Sequence, residues 1–316
     1  MTLIGLSLLL LVLSCSQREK QLIYYINSYH EGYPPSDEAM RAIRDAFPAE
    51  SYDLQIRFMD SKRNPSKEWL STSADSFSVE INTLKPHAVI LSDDDAVKYM
   101  RNFMVKKPET PFVFCGVNWS AEQYKLPREN VTGMLEVLPL KQAIEKLLNI
   151  YPESKRIAIL SENSLSERNN TTLLDTLYRH LGLEPEYHLV DNFETWKVSF
   201  IALQSTADII YIPTNGAIAG WNNAEAKAFV NKYSVKPSFT CDDFMMPYVA
   251  VGLTKIPYEQ GEWAASAVKN ILDGTFPADI PYTPNHQSKN WLNLSLAEKI
   301  GLNPGSEWMT NSTIIE

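Results

Sequence analysis

The sequence predicts an α/β protein of two lobes, each a parallel sheet wrapped by helices. Three observations predict it. Short apolar runs of strand length alternate with longer amphipathic stretches of helical period. The alternation runs from residue 22 to 137 and starts again at 141. A chain of 316 residues is also long enough to build two hydrophobic cores.

The first half reads in order. Residues 22–26 form a strand. Ser36 is placed to cap the helix that follows, with Asp37 and Glu38 in its first turn and Met40, Ile43 and Phe47 on one face. Residues 54–58 form a second strand and 66–84 a second helix. Residues 88–91 are a buried strand, followed by a helix that runs through Val105. Residues 111–115 and 131–137 continue the strands. The repeated β-α order argues for a parallel sheet covered by helices.

The second half repeats this order. A helix spans 141–150, a strand 156–160, and a helix 166–181 that stops at Gly182. Strands follow at 186–190, 209–212 and 238–241, with helices at 194–204 and 222–233 between them. No Gly-rich or low-complexity linker separates the halves, which argues for strand-like crossings rather than a loose tether.

Composition narrows the function. Hydrophobic residues make up 44% and charged residues 21%, as in an ordinary globular protein. The formal net charge is −9 with scattered basic residues, so nucleic acid is not an expected partner. The N-terminus, MTLIGLSLLLLVLS, is apolar but short for a membrane span and ends at Cys15. It resembles a bacterial lipoprotein signal, which implies lipidation of Cys15, a polar tether to residue 20, and an extracytoplasmic, lipid-anchored protein. Cys115 and Cys241 lie far apart after apolar runs and fit small buried hydrophobes.

Ligands of open parallel sheets bind at the carboxyl ends of the strands. Those ends carry Asn27-Ser28-Tyr29-His30, Ser92-Asp93-Asp94-Asp95, Gly116-Val117-Asn118-Trp119 and Glu136 in the first half. In the second half they carry Ser161-Glu162-Asn163-Ser164, Thr214-Asn215-Gly216 and Asp242-Asp243-Phe244. The concurrence of hydrogen-bonding groups and aromatics points to a cleft. Plainer readings stand beside it. Ser92 and the Asp run fit a helix cap, Asn215-Gly216 fits a turn, and Trp119, Trp221 and Phe244 fit packing. No nucleophile elbow, zinc-helix motif, phosphate loop or dinucleotide fingerprint occurs. The Asp93–Asp95 run lacks the spacing of a calcium loop. An enzyme, a metal and a cofactor are therefore not expected.

Several stretches carry a resemblance: "NSYHEGYPPSDE" at 27–38, "VILSDDDA" at 89–96, "PFVFCGVN" at 111–118, "YEQGEWAASAVKNILDGTFPADIPY" at 258–282 and "WLNLSLAEKIGL" at 291–302. In these the chain resembles the ABC transporter substrate-binding proteins of the tryptophan and tyrosine uptake type. It also resembles extracellular sensor domains of bacterial histidine kinases and diguanylate cyclases. The resemblance implies a type I periplasmic binding protein fold, two Rossmann-like lobes joined by three crossovers. Residues 21–136 with 258–274 would form the first lobe, and 137–255 with 280–316 the second.

Two functions follow from it: delivery of a small solute to an ABC permease, or sensing on behalf of a separate membrane protein. The expected ligand has a cationic amine and an apolar or aromatic body, most simply an amino acid. Asp94 and Asp242 would take the ammonium, Tyr29, Trp119 and Trp221 the body, and Ser28, Gly116 and Asn118 a carboxylate. His30, Asp93, Glu136, Asn163, Ser164, Thr214, Asn215 and Asp243 complete the expected ligand-binding set.

Overall fold

A computed structural model describes residues 20–303, 305–309 and 311–316. Cys15 and the signal expected around it lie outside the described residues.

The first sheet starts with β1 (Gln21–Asn27), whose inner residues Ile23 to Ile26 are fully buried. The chain passes through α1 (Pro34–Ala46) to β2 (Tyr52–Phe58), through α2 (Lys67–Leu84) to β3 (Ala88–Ser92), and through α3 (Asp93–Lys106) to β4 (Phe112–Asn118) and β5 (Val131–Glu136). Every residue of β3 is buried, as befits a strand covered on both faces by helices.

Ser36 does not cap α1. Two prolines open the helix at Pro34, where their missing N–H groups are harmless, and Ser36 instead donates its hydroxyl to Asn27 Oδ1 at 2.6 Å. Ser66 does cap α2, accepting the Trp69 N–H. Ser92 holds the cap position of α3 without a side-chain cap bond. The cap comes from another strand: Ser28 Oγ accepts the Ala96 N–H at 2.8 Å and donates to the Ser92 carbonyl at 2.5 Å.

The second sheet follows the same logic. α4 (Leu140–Ile150) leads to β6 (Arg156–Glu162), α5 (Leu165–His180) to β7 (Glu184–Val190), α6 (Phe193–Thr206) to β8 (Ile209–Tyr211), and α7 (Asn223–Tyr233) to β9 (Ser238–Thr240). Ser164, Asn192 and Asn222 cap α5, α6 and α7. Gly182, at φ +77°, ends the α5 turn as expected. A 3-10 stretch, Asp243–Tyr248, then gives β10 (Val251–Lys255), a strand the apolar patterning did not single out.

The chain then recrosses. α8 (Pro257–Leu272) packs on α1 and β4 of the first lobe, and β11 (Thr283–Pro284) adds an edge to the first sheet. The tail joins the second sheet only at β12 (Ser288–Asn293), followed by α9 (Leu294–Lys299), α10 (Gly305–Met309) and β13 (Thr313–Ile315).

The strand orders are β11-β5-β4-β3-β1-β2 and β13-β12-β10-β9-β8-β6-β7. All pairings are parallel except β10 with β12. The chain crosses between lobes at 137–139, at 256 and at 285–287. Each lobe has its own core, and Cys115 and Cys241 are buried thiols within them.

Candidate functional site

The carboxyl ends of both sheets face each other across the cleft and enclose a cavity of about 60 Å³. That is far below the ~300–1,000 Å³ of ordinary ligand pockets. Two ion-paired lysines and a hydroxyl pair hold the walls together.

The first lysine lies beside the crossings. Lys255 is the last residue of β10 and Glu136 the last of β5, and each directly precedes a crossing segment. The Lys255 ammonium binds Glu136 Oε1 and lies 3.2 Å from Asp242 Oδ1. Burial opposes its charge, yet Asp242 and Glu136 together hold its pKa well above the ordinary lysine value. Two carboxylates share one ammonium, so burial raises both Glu136 and Asp242 despite the lysine. The third crossing is clamped nearby. Glu259 of α8 accepts the backbone N–H groups of His286 and Gln287, both at 2.9 Å, and Asn285 Oδ1 accepts the Val137 N–H at 2.7 Å.

The second lysine lies at the mouth. Lys62 follows β2 in the first lobe and pairs with Glu162 at the end of β6 in the second; the side chains are 3% and 0% exposed. Next to it the Tyr33 and Thr214 hydroxyls share a hydrogen bond of 2.9 Å across the lobes.

Asp93 opens onto the cavity with no ion-pair partner among the described residues: both lysines are engaged elsewhere. Burial, and next Glu136, raise its pKa well above the usual carboxylate range. Its backbone is left-handed, at φ +68°. Gly116 lies against it: a Cβ there would sit 2.9 Å from Asp93 Oδ1. The Gly116 N–H donates to Gln260 Oε1 at 3.1 Å. Gln260 is 3% exposed, lines the cavity, and its Nε2 has no hydrogen-bond partner among the described residues. On the opposite wall Glu167 accepts hydrogen bonds from Ser161 and Asn170, but burial still pushes its pKa up to about 7.

Of the expected site residues, Tyr29, Asp93, Gly116, Asn118, Glu136, Thr214 and Asp242 line the cavity. Asp94 does not. Its carboxylate is taken by Asn118 Nδ2 at 2.6 Å and the Tyr124 hydroxyl at 2.7 Å, inside the first lobe. Ser28 is consumed as the cap of α3. Trp119, at φ +59°, packs against the core of the second lobe and donates to Asn170 Oδ1 at 3.0 Å. Asp243 starts the 3-10 stretch away from the cavity. His30, Asn215 and Trp221 line an open outer groove of about 1,290 Å³ between the lobes. Burial and the neighbouring Arg63 lower the His30 pKa. Asn163 and Ser164 line a side recess of about 240 Å³.

The sequence reading missed Tyr33, Lys62, Ser166, Glu167, Asn170, Lys255 and Gln260 on the cavity wall, and it counted Glu162 as a strand end without selecting it. Among the described residues no cluster of His, Cys, Asp and Glu is suited to a metal ion.

A cleft between two crossing-linked parallel-sheet lobes, lined by their strand ends, defines a two-lobed ligand-binding protein. The chain belongs to the ABC transporter substrate binding protein family, whose model matches residues 102–309. No curated protein matches the chain. Among solved structures it is similar to the ABC domain in complex with L-Trp from Streptococcus pneumonia, at 15% identity and TM-score 0.72, covering 94% of this chain and 100% of that one. A conserved domain protein from Vibrio cholerae matches at 17% identity and TM-score 0.72, covering 94% and 99%. A substrate binding protein with adhesive properties from Clostridium difficile, in a ligand-free, open structure, matches at 13% identity and TM-score 0.66, covering 94% and 99%. These likenesses establish the type I periplasmic binding fold. The family supplies the coarse function: an extracytoplasmic component that binds a small ligand for ABC transport.

Proposed function

We propose that this chain is the lipid-anchored receptor of an ABC importer and that its ligand is an amino acid held between the lobes. The observation that carries the ligand class is Asp93 beside Gln260: an unpaired carboxylate and an unpartnered amide N–H meet at one cavity wall, on either side of Gly116. Burial disfavours the charge on Asp93, and a ligand ammonium beside it restores that charge, so the site favours a cation. A zwitterion does both, placing its ammonium on Asp93 and its carboxylate on Gln260 Nε2. Among the described residues that line the cavity, the acids Glu136, Glu167 and Asp242 accompany Asp93 and the cations are Lys62 and Lys255, which adds to the preference for a cation.

The cavity in this conformation is too small for such a ligand, so binding requires the lobes to part and reclose. The open structure of the Clostridium difficile protein supports hinge opening in this fold. Anchoring is read from the sequence before Cys15. No helix among the described residues is long and apolar enough to cross a membrane.

A thermal-shift screen of amino acids, nucleosides and sugars on residues 16–316 tests the ligand class, since a tight ligand raises the melting temperature by mass action. Asp93→Asn should then weaken the best amino acid by about tenfold or more, roughly 1.4 kcal/mol. A neutral sugar as the best ligand would overturn the reading. Cys15→Ala should abolish lipid labelling of the full chain; equal labelling would end the anchoring claim.

A further inference from the structure

Lys62 sits in a setting built like a ligand site. Its ammonium lies 4.6 Å from the centre of the Tyr29 ring and 4.9 Å from that of Tyr33. The two rings meet edge to face, 5.1 Å apart, and form adjoining walls. Glu162 supplies a carboxylate as the next wall, with its Oε2 fixed by the Ala217 N–H at 2.6 Å. Phe244 of the second lobe braces Tyr33 from behind, 5.6 Å away. Gly216 allows the closing loop to seal this space: a Cβ there would lie 2.6 Å from Tyr33 Cε2 and 2.9 Å from Lys62 Cδ.

Two aromatic faces and a carboxylate around an ammonium form the arrangement by which proteins recognise free organic cations. Here the cage is assembled from both lobes, and the cation inside belongs to the chain itself. Tyr29, Tyr33, Lys62 and Asp93 all line the same cavity. A ligand whose α-ammonium meets Asp93 therefore has the cage within the same enclosure.

We propose that the Tyr29–Tyr33–Glu162 cage is a second cation site, that Lys62 fills it as a tethered surrogate, and that the side-chain cation of a basic amino acid or a diamine exchanges with Lys62 there. The proposal rests on the reading of Asp93 as the ammonium site and narrows it to ligands with two cationic ends. It also explains why a lysine is buried so close to the mouth. The tethered ammonium keeps the cage closed and is the group a monocationic ligand fails to displace. A tethered group competes at a millimolar or higher effective concentration, so a free cation is excluded from the intact cage unless a second contact adds to its binding.

The test is chemical complementation. Lys62→Ala should bind propylammonium chloride, measured calorimetrically, about tenfold or more tightly than the unaltered protein does. Adding Tyr29→Leu or Glu162→Gln to Lys62→Ala should remove that gain, while adding Asp93→Asn should leave it. If Lys62→Ala keeps its circular dichroism and gains nothing, the cage proposal is overturned. If the gain depends on Asp93 and not on the cage residues, the cage falls while the Asp93 reading stands. Should Lys62→Ala not fold, the unaltered protein answers instead. Acylation of Lys62, mapped by mass spectrometry, should rise in concentrated tetramethylammonium relative to sodium at equal ionic strength, and unchanged acylation overturns the proposal.

Discussion

Lys62 of the first lobe and Lys255 of the second are both buried, and each reaches a carboxylate of the other lobe, yet they differ in their distance from the chain crossings. Lys255 and Glu136 each end a strand just before a chain crossing. Lys62 also borders the open outer groove, remote in sequence from every crossing. When lobes rotate about their crossings, atoms near the axis move little and atoms at the mouth separate. On the proposed hinge motion, the Lys255 cluster keeps its partners. The same motion breaks the Lys62 pair on opening and remakes it on closing. Rehydration on opening offsets much of its Coulombic gain, which makes it a reversible latch rather than a permanent brace. One residue type in one kind of contact thus serves two mechanical ends, and its distance from the crossings decides which.

Removing the brace is the largest expected effect. Lys255→Met leaves Glu136 and Asp242 buried without a counter-charge, which should lower unfolding stability in urea by about 3–5 kcal/mol. A loss below about 1 kcal/mol would mean that water reaches the cluster, and the distinction between brace and latch would collapse.

Breaking the latch should act on shape instead. Glu162→Gln leaves Lys62 without its carboxylate only while the lobes are closed. The molecule escapes the penalty by opening, so the closed population falls and unfolding of the lobes shifts by less than about 1 kcal/mol. Small-angle scattering should show a larger radius of gyration for Glu162→Gln. An unchanged radius with a several-kcal/mol loss of stability would show that Lys62 is a brace like Lys255.

These two lysines also mark what the sequence could and could not disclose. The sheets were legible because strand-length apolar runs such as 88–91 alternate with helical patterns, and ligand sites of such sheets lie at strand ends. That rule needs no side-chain geometry, and it led to Asp93, Glu136, Thr214 and Asp242. Lys62 escaped because it stands beyond Phe58, the last residue of β2, and its carboxylate partner is 100 residues away in sequence. Lys255 escaped because Val251–Lys255 follows a 3-10 stretch rather than a helix and did not read as a strand. The expected ammonium partner, Asp94, is held by Asn118 and Tyr124, while Asp93, with a left-handed backbone that Asp tolerates, lines the cavity. Adjacent carboxylates of one run cannot be told apart in this way from sequence. Gln260 stood in the Gln-Gly of the 258–282 stretch, but its meeting with Gly116 depends on a helix that returns from the other lobe.

A milder perturbation at the mouth sharpens the contrast. Gly216→Ala places a methyl against Tyr33 and the Lys62 stem only when the loop is closed. Both neighbours are side chains that shift, so the expected penalty is about 1–3 kcal/mol on closure alone. Ligand affinity should fall while the urea midpoint holds. Equal losses in both would place the loop in the folding core rather than in the latch.

The smallest effect separates the cavity wall from both lysines. Glu167 is buried, with its pKa pushed up to about 7 in the folded protein, against roughly 4.3 in an unfolded chain. The folded state therefore binds more protons than the unfolded state between those values. Its stabilising contribution is full below the unfolded pKa and is lost as pH rises through about 7. Between about pH 6 and 8 that loss is on the order of 1 kcal/mol. The hydrogen bonds from Ser161 and Asn170 favour the ionised form but do not outweigh burial. Glu167→Gln should flatten the pH dependence of the urea midpoint over this range, while Glu162→Gln should keep the slope and move it to lower pH, because the Glu162 charge helps to raise Glu167. Glu162 is ion-paired to Lys62 in the closed cleft and Glu167 has no cationic partner among the described residues. A pH slope that disappears with Glu162 rather than Glu167 would assign the titration to the latch, and closure itself would then be pH-gated.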